Sequence, residues 1–320
     1  MMIIGLDIMG GDFAPEQAII GLRDYLLEEQ SDNHEVHFHL IGDAQIAAPF
    51  LHYLEQFSTR YTLIPSDSVI LMNEHPTKAL KEKSNSSIAI GFKQLLTQEI
   101  QAFASAGNTG AMLVGSLYSV KSIPGIIRPT IASPIPNIKG GWSFLLDAGA
   151  NSDCKAEHLY QFAKIGSLYA KEVLHIENPR VGLLNIGTEE GKGNLLAQAT
   201  YPLLKNSEFI NFVGNIEGRD VFTDVADIIV CDGYTGNIIL KMAESFYEIF
   251  KIERGLKDDF LEHFNYEVFG GTPVLGINAN VFIGHGISKA PAFKNMIKNT
   301  IQLAQGNLIN SLNTLFKPEN

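Results

Sequence analysis

The residue whose surroundings most clearly suggest chemistry is Lys192, which stands between Gly191 and Gly193. It lies in residues 185–194, a segment that leaves an apolar run and enters an amphipathic one. This order is typical of a strand, a glycine-rich loop and a helix. Glycines allow close approach of the backbone, a helix start leaves N–H groups unpaired, and the lysine adds a positive charge. The loop is therefore suited to an anion, and phosphate is the first candidate.

The same loop departs from both common nucleotide-binding motifs. A Walker loop has four residues between its first glycine and Gly-Lys, with Ser or Thr next. Here three residues separate Gly187 from Gly191, and Gly193 follows the lysine. A dinucleotide fingerprint would need a small residue where Leu196 stands. ATP and NAD are therefore disfavoured, and a plain tight connection between two elements is the alternative to phosphate binding.

Further polar and glycine residues follow the other apolar runs of the chain. Each of these short segments comes after a predicted strand and before a predicted helix. Because the carboxyl ends of parallel strands lie on one edge of a sheet, we expect the segments to converge there, where such sheets bind ligands. The candidate binding residues in them are Gly10, Gly11, Asp12, Asn108, Asp147, Asn151, Asn194, Asp232, Gly236 and Asn237.

The elements that would position these residues alternate between β-branched or apolar runs and runs of helical period. That alternation favours an α/β fold, and runs that are apolar on both faces are typical of central parallel strands. We expect one continuous domain over residues 1–320, with two lobes as the alternative. The expected strands are 3–6, 36–41, 102–104, 143–146, 181–186, 209–213, 228–230 and 280–283, and the expected helices include 16–28 and 195–204.

Two segments differ from this alternation. Residues 123–141 contain four prolines and are expected to form an extended, constrained loop. Residues 241–269 carry aromatic and aliphatic residues at helical spacing, which predicts a helical segment with an apolar stripe. We expect this stripe to lie at a homodimer interface, and packing inside the same chain is the alternative.

The composition narrows the class of protein. The 320 residues are 45% hydrophobic, which is enough for a substantial core, and the formal net charge of −11 argues against a nucleic-acid partner. Cys154 and Cys231 are far apart in sequence, which suits a reducing compartment. Residues 1–8 lack the features of a signal peptide, and no apolar run is long enough to span a bilayer. We therefore expect a cytoplasmic protein.

Metal binding and covalent catalysis have weaker support. His37 and His39 share one face of a predicted strand, but packing of that face against a helix or solvent explains them as well. The acidic residues at strand ends are explained by helix capping. His285 lies between two glycines without a Ser-His-Asp pattern, so we place it at the edge of the site. We expect no bound metal and no cofactor.

The strand-end segments together resemble one family, the bacterial acyl-carrier-protein phosphate acyltransferases of phospholipid synthesis, often called PlsX. The resemblance covers almost the whole chain. The segments that carry it are 7–12, 105–110, 128–129, 147–154, 183–194, 214–220, 232–241 and 270–271.

The resemblance implies a three-layer α/β/α fold with a mostly parallel sheet, similar to isopropylmalate dehydrogenases and phosphotransacetylases, and usually a homodimer. It implies transfer of a fatty acyl group from an acyl carrier protein thioester to inorganic phosphate. The acyl phosphate would serve a membrane glycerol-3-phosphate acyltransferase. Phosphate is already nucleophilic and a thiolate leaves readily, so the reaction needs positioning and oxyanion stabilisation more than a covalent nucleophile.

The resemblance also suggests a role for each candidate residue. Lys192, with the backbone amides of Gly191 and Gly193, is expected to hold phosphate. Asn237 is expected to donate to the developing thioester oxyanion, with Asn108 as a second candidate. The other substrate-binding residues are Gly10, Gly11, Asp12, Asp147, Asn151, Asn194, Asp232, Gly236 and His285. An acidic carrier protein requires a local basic patch, for which the candidates are Lys78, Lys81 and Lys83, or Arg128 and Lys139.

The sequence also departs from the family. Phe13 stands where the family often has His, and residues 287–289 replace a usual Ser-Ser pair. The segment 241–270 is shorter than usual, so peripheral attachment to the membrane stays open. Two other functions also stay open: a phosphotransacetylase-type enzyme that uses acyl-coenzyme A, and a non-catalytic protein that binds the carrier protein.

Overall fold

The computed structural model describes residues 1–29 and 36–317. In it the chain forms two compact units. The first unit comprises Met1–Lys121 and Tyr266–Gln305, and the second comprises Ser122–Asn265 and Gly306–Asn320. Each unit has a sheet flanked by helices and its own hydrophobic cluster.

The secondary structure alternates along most of the chain. The strands are β1 (Met2–Asp7), β2 (Val36–Gly42), β3 (Tyr61–Pro65), β4 (Ala102–Ser105), β5 (Thr130–Ile131), β6 (Ser133–Pro136), β7 (Trp142–Leu146), β8 (Arg180–Asn185), β9 (Asn211–Glu217), β10 (Ile228–Val230), β11 (Thr272–Leu275) and β12 (Asn280–Ile283). The α-helices are α1 (Glu16–Glu28), α2 (Ala44–Ala47), α3 (Pro76–Glu82), α4 (Ser87–Leu96), α5 (Thr109–Gly115), α6 (Ala156–Glu172), α7 (Leu195–Lys205), α8 (Gly233–Phe246), α9 (Asp259–Glu262), α10 (Tyr266–Phe269), α11 (Ala290–Gln305) and α12 (Leu308–Leu315). Segments of 3₁₀-helix span Ala48–Phe57 and Gly218–Asp220, and π-helical turns span Ser116–Val120 and Tyr247–Glu253.

The sheet of the first unit has the strand order β3-β2-β1-β4-β12-β11, and neighbouring strands are parallel except β11 and β12. β1 and β4 are buried along most of their length, as central parallel strands are. Leu6 lies opposite Ala104, and Ile283 lies opposite Ser105. The turns that follow β1, β4 and β12 therefore share one edge of the sheet.

Helices cover both faces of this sheet. On one face, Phe92 of α4 packs edge-on against Phe103 of β4, with ring centroids 5.5 Å apart. α1 and α11 pack against each other, and α11 contacts β4 and β12 on the other face. The two helices approach closely at Gly21, where a Cβ atom would lie 2.8 Å from the carbonyl oxygen of Ala290. Only glycine fits this contact without a shift of α11.

The second unit has the strand order β6-β7-β10-β8-β9, in which β6 is antiparallel to β7 and the other neighbours are parallel. Side chains of β7 alternate between the faces of the sheet. Phe144 packs edge-on against Tyr169 of α6, with ring centroids 5.4 Å apart. Leu145 instead joins a cluster with Ala243 of α8 and Phe264. This three-layer α/β/α architecture confirms the predicted fold class.

Most predicted strands are present within one or two residues of the expected bounds. The strand expected at 209–213 is displaced toward the C-terminus and spans Asn211–Glu217. The segment 123–141 is extended, as expected, but it also contains β5 and β6. Pro134 and Pro136 are compatible with β6 because an edge strand does not need every N–H for pairing. Prolines therefore did not prevent strand formation here.

The apolar stripe of residues 241–269 is divided between the core and the surface. Phe246 and Phe264 have ring centroids 5.6 Å apart, and both belong to or pack against the hydrophobic cluster of the second unit. Ile252 and Leu256 remain 56% and 49% exposed. No helix of residues 1–29 and 36–317 is long and apolar enough to cross a membrane.

Replacing Gly21 by Ala is expected to destabilise the first unit. In an open helix this change gains up to about 1 kcal/mol, but overpacking of a close contact typically costs about 1–3 kcal/mol. Thermal unfolding of Gly21→Ala should therefore have a lower midpoint. Leu27→Ala, at a 44% exposed position on the same helix, is the control and should change the midpoint little. A midpoint equal to that of the parent chain would contradict the α1–α11 packing.

Candidate functional site

The loop that contains Lys192 connects the end of β8 to the start of α7, as predicted. Asn185, the last residue of β8, closes this loop with its side-chain amide. Its oxygen accepts a hydrogen bond from the backbone N–H of Ile186 at 2.8 Å, and its nitrogen donates to the carbonyl oxygen of Lys192 at 3.1 Å. The two ends of the loop are therefore held by one side chain.

The loop leaves several backbone donors open. Asn194 caps α7 by accepting a hydrogen bond from the N–H of Ala197 at 2.9 Å. The N–H groups of Gly191, Gly193 and Asn194 have no hydrogen-bond partner within residues 1–29 and 36–317. Gly193 has a φ of 92°, which favours glycine over other residues. Open N–H groups at the start of an 11-residue helix are a favourable setting for an anion.

Lys192 adds an unneutralised positive charge to these donors. Its side chain is exposed, and its Nζ has no ion pair or hydrogen bond with any residue that the structure describes. The stem of the lysine crosses the loop, because a Cβ atom on Gly187 would lie 3.1 Å from the Cγ of Lys192. The nearby carboxylate of Glu190 is paired with Lys205 at 2.8 Å. The lysine is thus available to an external anion.

Asn237 lies on the first turns of α8, which begins after β10. Asp232 caps this helix: its two carboxylate oxygens accept hydrogen bonds from the N–H and the hydroxyl of Thr235, at 2.9 and 2.8 Å. Asn237 is exposed, and its amide has no hydrogen-bond partner among the described residues. It lies against Gly149, where a Cβ atom would be 3.4 Å from the Asn237 Oδ1. This amide is free to bind a substrate.

Asp147 is the buried anchor of the turn that follows β7. Its Oδ1 accepts hydrogen bonds from the N–H of Ile131 and the hydroxyl of Thr130, at 2.9 and 3.0 Å. Its Oδ2 accepts from the backbone and side-chain amides of Asn151, at 2.6 and 3.2 Å. Burial raises the pKa of Asp147, and these hydrogen bonds oppose that rise. Asp147 and Asn151 thus support this turn through their mutual hydrogen bonds.

Two glycines of α8 allow this helix to approach the Asp147 turn. A side chain at Gly236 would collide with the carbonyl oxygen of Asp147, and one at Gly233 would collide with its carboxylate. The N–H of Gly233 also donates to the carbonyl oxygen of Asn151 at 2.8 Å. Gly236 was predicted to bind substrate, and its observed contacts give it a packing role that positions Asn237.

The order of the strands places the second-unit candidates in adjacent loops. β10 lies between β7 and β8, and all three are parallel. The turn with Gly149, the start of α8 with Asn237 and the loop with Lys192 therefore follow neighbouring strands on one edge of the sheet. An anion held by the Lys192 loop would lie beside the strand that leads to Asn237.

The first unit carries a similar buried carboxylate at the end of β1. The hydroxyl of Ser105 donates to Asp7 at 2.6 Å, and the N–H of Met9 donates at 2.9 Å. Burial raises the pKa of Asp7, and these hydrogen bonds oppose the rise. Gly10 packs so tightly that a Cβ atom there would lie 2.6 Å from the backbone nitrogen of Gly107. Gly10 therefore serves the packing of two turns.

The remaining candidates of the first unit border this turn. A Cβ atom on Gly11 would lie 3.0 Å from the carbonyl oxygen of Gly286, and that oxygen accepts a hydrogen bond from the N–H of Asp12 at 2.8 Å. His285 is half-buried, and its ring centroid lies 5.1 Å from that of Tyr266. The turn after β1 and the turn after β12 are therefore held together.

Asn108 is not the free donor that the sequence suggested as a second oxyanion contact. Its side-chain nitrogen donates to the carbonyl oxygens of Leu71, Met72 and Glu74, at 2.9, 3.2 and 3.2 Å. Its oxygen caps α5 by accepting from the N–H of Ala111 at 2.9 Å. Its amide therefore supports residues 71–74 and the start of α5. The prediction differed because the partners of Asn108 at residues 71–74 are distant in the sequence.

The two cysteines are poorly suited to nucleophilic catalysis. Cys231 is buried, and its pKa is raised well above the usual thiol value by burial and by the charges of Asp232 and Asp147. Burial and the charge of Asp147 raise the pKa of Cys154 to about 11. Because the thiolate is the reactive form, neither residue would be activated near neutral pH.

Sequence reasoning missed two side chains that contact the Lys192 loop. Gln198 of α7 donates to the carbonyl oxygens of Gly191 and Gly193. Asn215 of β9 donates to the carbonyl oxygen of Glu189. A polar residue on a helix surface usually indicates solvent exposure, and Asn215 comes from a different strand. The one signal in the sequence was that Asn215 lies in segment 214–220, which is among the segments that carry the family resemblance.

Comparison with known proteins relates nearly the whole chain to one family. A family model described as "Fatty acid synthesis protein" matches residues 2–311. A phosphate acyltransferase of Dictyoglomus thermophilum is 42% identical over 315 residues, which cover 93% of this chain and 92% of the relative. A phosphate acyltransferase of Salinibacter ruber is 38% identical over 98% of this chain and 97% of the relative.

The fold is similar to that of a solved phosphotransacetylase from Streptococcus pyogenes. The TM-score is 0.66 at 17% identity, over 95% of this chain and 94% of that structure. Such low identity supports the fold alone, whereas the family match and the relatives extend over nearly the whole sequence. The chain therefore belongs to the phosphate acyltransferase family of fatty acid synthesis proteins.

Proposed function

We propose that this chain transfers a fatty acyl group from an acyl carrier protein thioester to inorganic phosphate, giving acyl phosphate for phospholipid synthesis. The observation that carries the proposal is that two polar side chains without partners in the described part of the chain follow neighbouring strands, β8 and β10. Lys192 has no carboxylate partner among the described residues, and the amide of Asn237 has no hydrogen-bond partner there. One group suits phosphate, and the other suits a carbonyl oxygen.

Phosphate binds at the loop through charge and backbone donors. Lys192 and the N–H groups of Gly191 and Gly193 hold its oxygens, and the positive end of α7 adds to this attraction. One phosphate oxygen is left to face the acyl group. Holding a nucleophile beside its electrophile removes much of the entropic cost of a bimolecular reaction.

The acyl transfer then proceeds by direct attack. The free oxygen of HPO₄²⁻ forms a bond to the thioester carbon, and the carbonyl oxygen gains negative charge. The side-chain N–H of Asn237 donates to that oxygen as the charge develops. The C–S bond breaks, the thiolate of the carrier leaves, and the proton of the phosphate is transferred to the sulfur. The products are acyl phosphate and the free carrier thiol.

This mechanism uses no covalent enzyme intermediate. The raised pKa values of Cys154 and Cys231 keep both thiols protonated near neutral pH. Asp147 is fully buried and has hydrogen bonds to both oxygens, so its role is to support the turn at Gly149. The side chains that touch the reacting atoms are therefore Lys192 and Asn237.

The carrier protein docks through a local basic surface. Of the residues proposed for docking, three are paired with carboxylates: Lys78 with Glu82 at 4.0 Å, Lys83 with Glu74 at 2.6 Å and Lys139 with Asp224 at 2.6 Å. Lys81 and Arg128 have no carboxylate partner among the described residues. These two residues are the better docking candidates because their charges are not neutralised.

The enzyme acts in the cytoplasm as a homodimer. The exposed part of residues 241–269, including Ile252 and Leu256, supports an intersubunit contact because these apolar side chains would otherwise lie in water.

The acyl phosphate product is passed to a membrane glycerol-3-phosphate acyltransferase. Because acyl phosphate is reactive, its transfer is favoured where the two enzymes meet near the membrane surface.

Replacing Lys192 by Ala should abolish most of the activity without unfolding the protein. Loss of one preorganised charged donor typically lowers the rate by about 10²–10³-fold. The measurement is phosphate-dependent release of the carrier thiol. Lys171→Ala removes an exposed charge on α6 and serves as the control. Equal activity of Lys192→Ala and the control would exclude this loop as the phosphate site.

Replacing Asn237 by Ala should lower kcat by about 10²–10³-fold with a smaller change in the KM for phosphate. The reason is that its amide acts mainly on charge that develops in the transition state. Asn206→Ala, at the exposed end of α7, is a suitable control. Near-parental turnover of Asn237→Ala would remove Asn237 from the mechanism.

Charge reversal at Lys81 or Arg128 should raise the KM for the acyl carrier substrate about 3–10-fold at low salt, with the KM for phosphate unchanged. Lys298→Glu on α11 reverses another exposed charge and is the control. The same assay with acyl-coenzyme A tests whether the carrier protein is recognised. A preference for acyl-coenzyme A would contradict the proposed carrier, and an unchanged KM would exclude the mutated residue from docking.

A further inference from the structure

Side-chain amides from three different elements bind the backbone carbonyls of the Lys192 loop. Asn215 of β9 donates to the carbonyl oxygen of Glu189 at 2.9 Å. Asn185 of β8 donates to that of Lys192 at 3.1 Å. Gln198 of α7 donates to those of Gly191 and Gly193, at 3.2 and 3.0 Å. Carbonyl oxygens at 189, 191, 192 and 193 thus all have a side-chain donor.

Holding these carbonyls also orients the N–H groups that follow them. In a planar trans peptide, the C=O of one residue points away from the N–H of the next. The bonds to the carbonyls of residues 189, 192 and 193 therefore aim the N–H groups of Glu190, Gly193 and Asn194 away from the three amides. None of these N–H groups has a partner within residues 1–29 and 36–317. Each side-chain amide and the open N–H of the same peptide group therefore lie at opposite edges of that peptide.

The loop needs such restraint because it is rich in glycine. A Cβ atom on Gly191 would meet nothing within 4 Å, so packing does not constrain this residue. A free glycine loop samples many conformations, and it would lose that freedom when phosphate binds. Loop carbonyl oxygens that turned toward the phosphate position would also repel the anion. Restraint by side-chain amides lowers both costs before the ligand arrives.

Asn215 carries a further sign that this arrangement serves more than folding. It is 6% exposed, and its Oδ1 is buried without a hydrogen-bond partner among the described residues. A buried acceptor without a partner is costly. The orientation persists because the nitrogen of this amide binds the carbonyl of Glu189, and the reverse orientation would place two oxygens together.

We propose that Gln198, Asn215 and Asn185 are positioning residues for phosphate, which act by holding the loop carbonyls away from the anion. This inference rests on the proposed function, because it assumes that phosphate binds at Lys192. Gln198 is the most informative of the three. It is exposed, it lies within α7, and it binds two carbonyls on either side of Lys192 without contacting the reacting groups.

The test is steady-state kinetics of Gln198→Leu, with both substrates varied. The KM for phosphate should rise about tenfold, because two hydrogen bonds that preorganise the loop are lost. kcat at saturating phosphate and the KM for the acyl carrier should stay within about threefold of the parent values. Asn215→Leu removes a second of the three donors without adding a charge and should also raise the KM for phosphate.

Gln161→Leu is the matched control. Gln161 of α6 also donates to a backbone carbonyl, that of Gly125 at 2.9 Å, but it lies outside the loop. Its loss should leave the KM for phosphate unchanged. An unchanged phosphate KM in Gln198→Leu, or a fall in kcat alone, would overturn the positioning role. Equal changes in all parameters together with a lower unfolding midpoint would also overturn it. Failure of the parent chain to release thiol with phosphate would instead reject the proposed function.

Discussion

The buried carboxylate of Asp147 is the interaction on which the second-unit site depends. It is fully buried, and its four hydrogen bonds fix residues 130–131 and the turn after β7. A charge in this position is tolerated only because both oxygens are satisfied. α8 can then approach through Gly233 and Gly236, and this approach sets the place of Asn237. The buried carboxylate of Asp147 thus helps to position Asn237, the residue proposed to donate to the thioester oxygen.

The site separates residues that hold the structure from residues that are left open. Both carboxylate oxygens of Asp147 and of Asp232, and the side-chain nitrogen of Asn151, have hydrogen bonds within the protein. Lys192 and Asn237 are exposed and have no such partners among the described residues. This division suits a reaction that needs no covalent nucleophile. Rigid supports keep Lys192 and Asn237 in place, and both side chains remain open for the two substrates of the proposed reaction.

Much of the fold could be predicted because short-range patterns report burial directly. β10 and β12 have the predicted bounds, since runs that are apolar on both faces are typical of central parallel strands. The strand at Asn211–Glu217 was displaced in the prediction, because its exposed Val213 and neighbouring polar residues weaken the apolar pattern. β6 was missed because prolines indicate irregular structure, whereas an edge strand tolerates them.

The sequence by itself determined the glycine-rich loop, its lysine and the strand ends that carry the candidate residues, because glycine, helix caps and apolar runs act over a few residues. The tertiary structure alone decided which polar groups are engaged and which are free. The side-chain nitrogen of Asn108 donates to the carbonyls of Leu71, Met72 and Glu74. Asn215 contacts the Lys192 loop from another strand. Hydrogen bonds between residues distant in the chain depend on strand order, which no local pattern encodes.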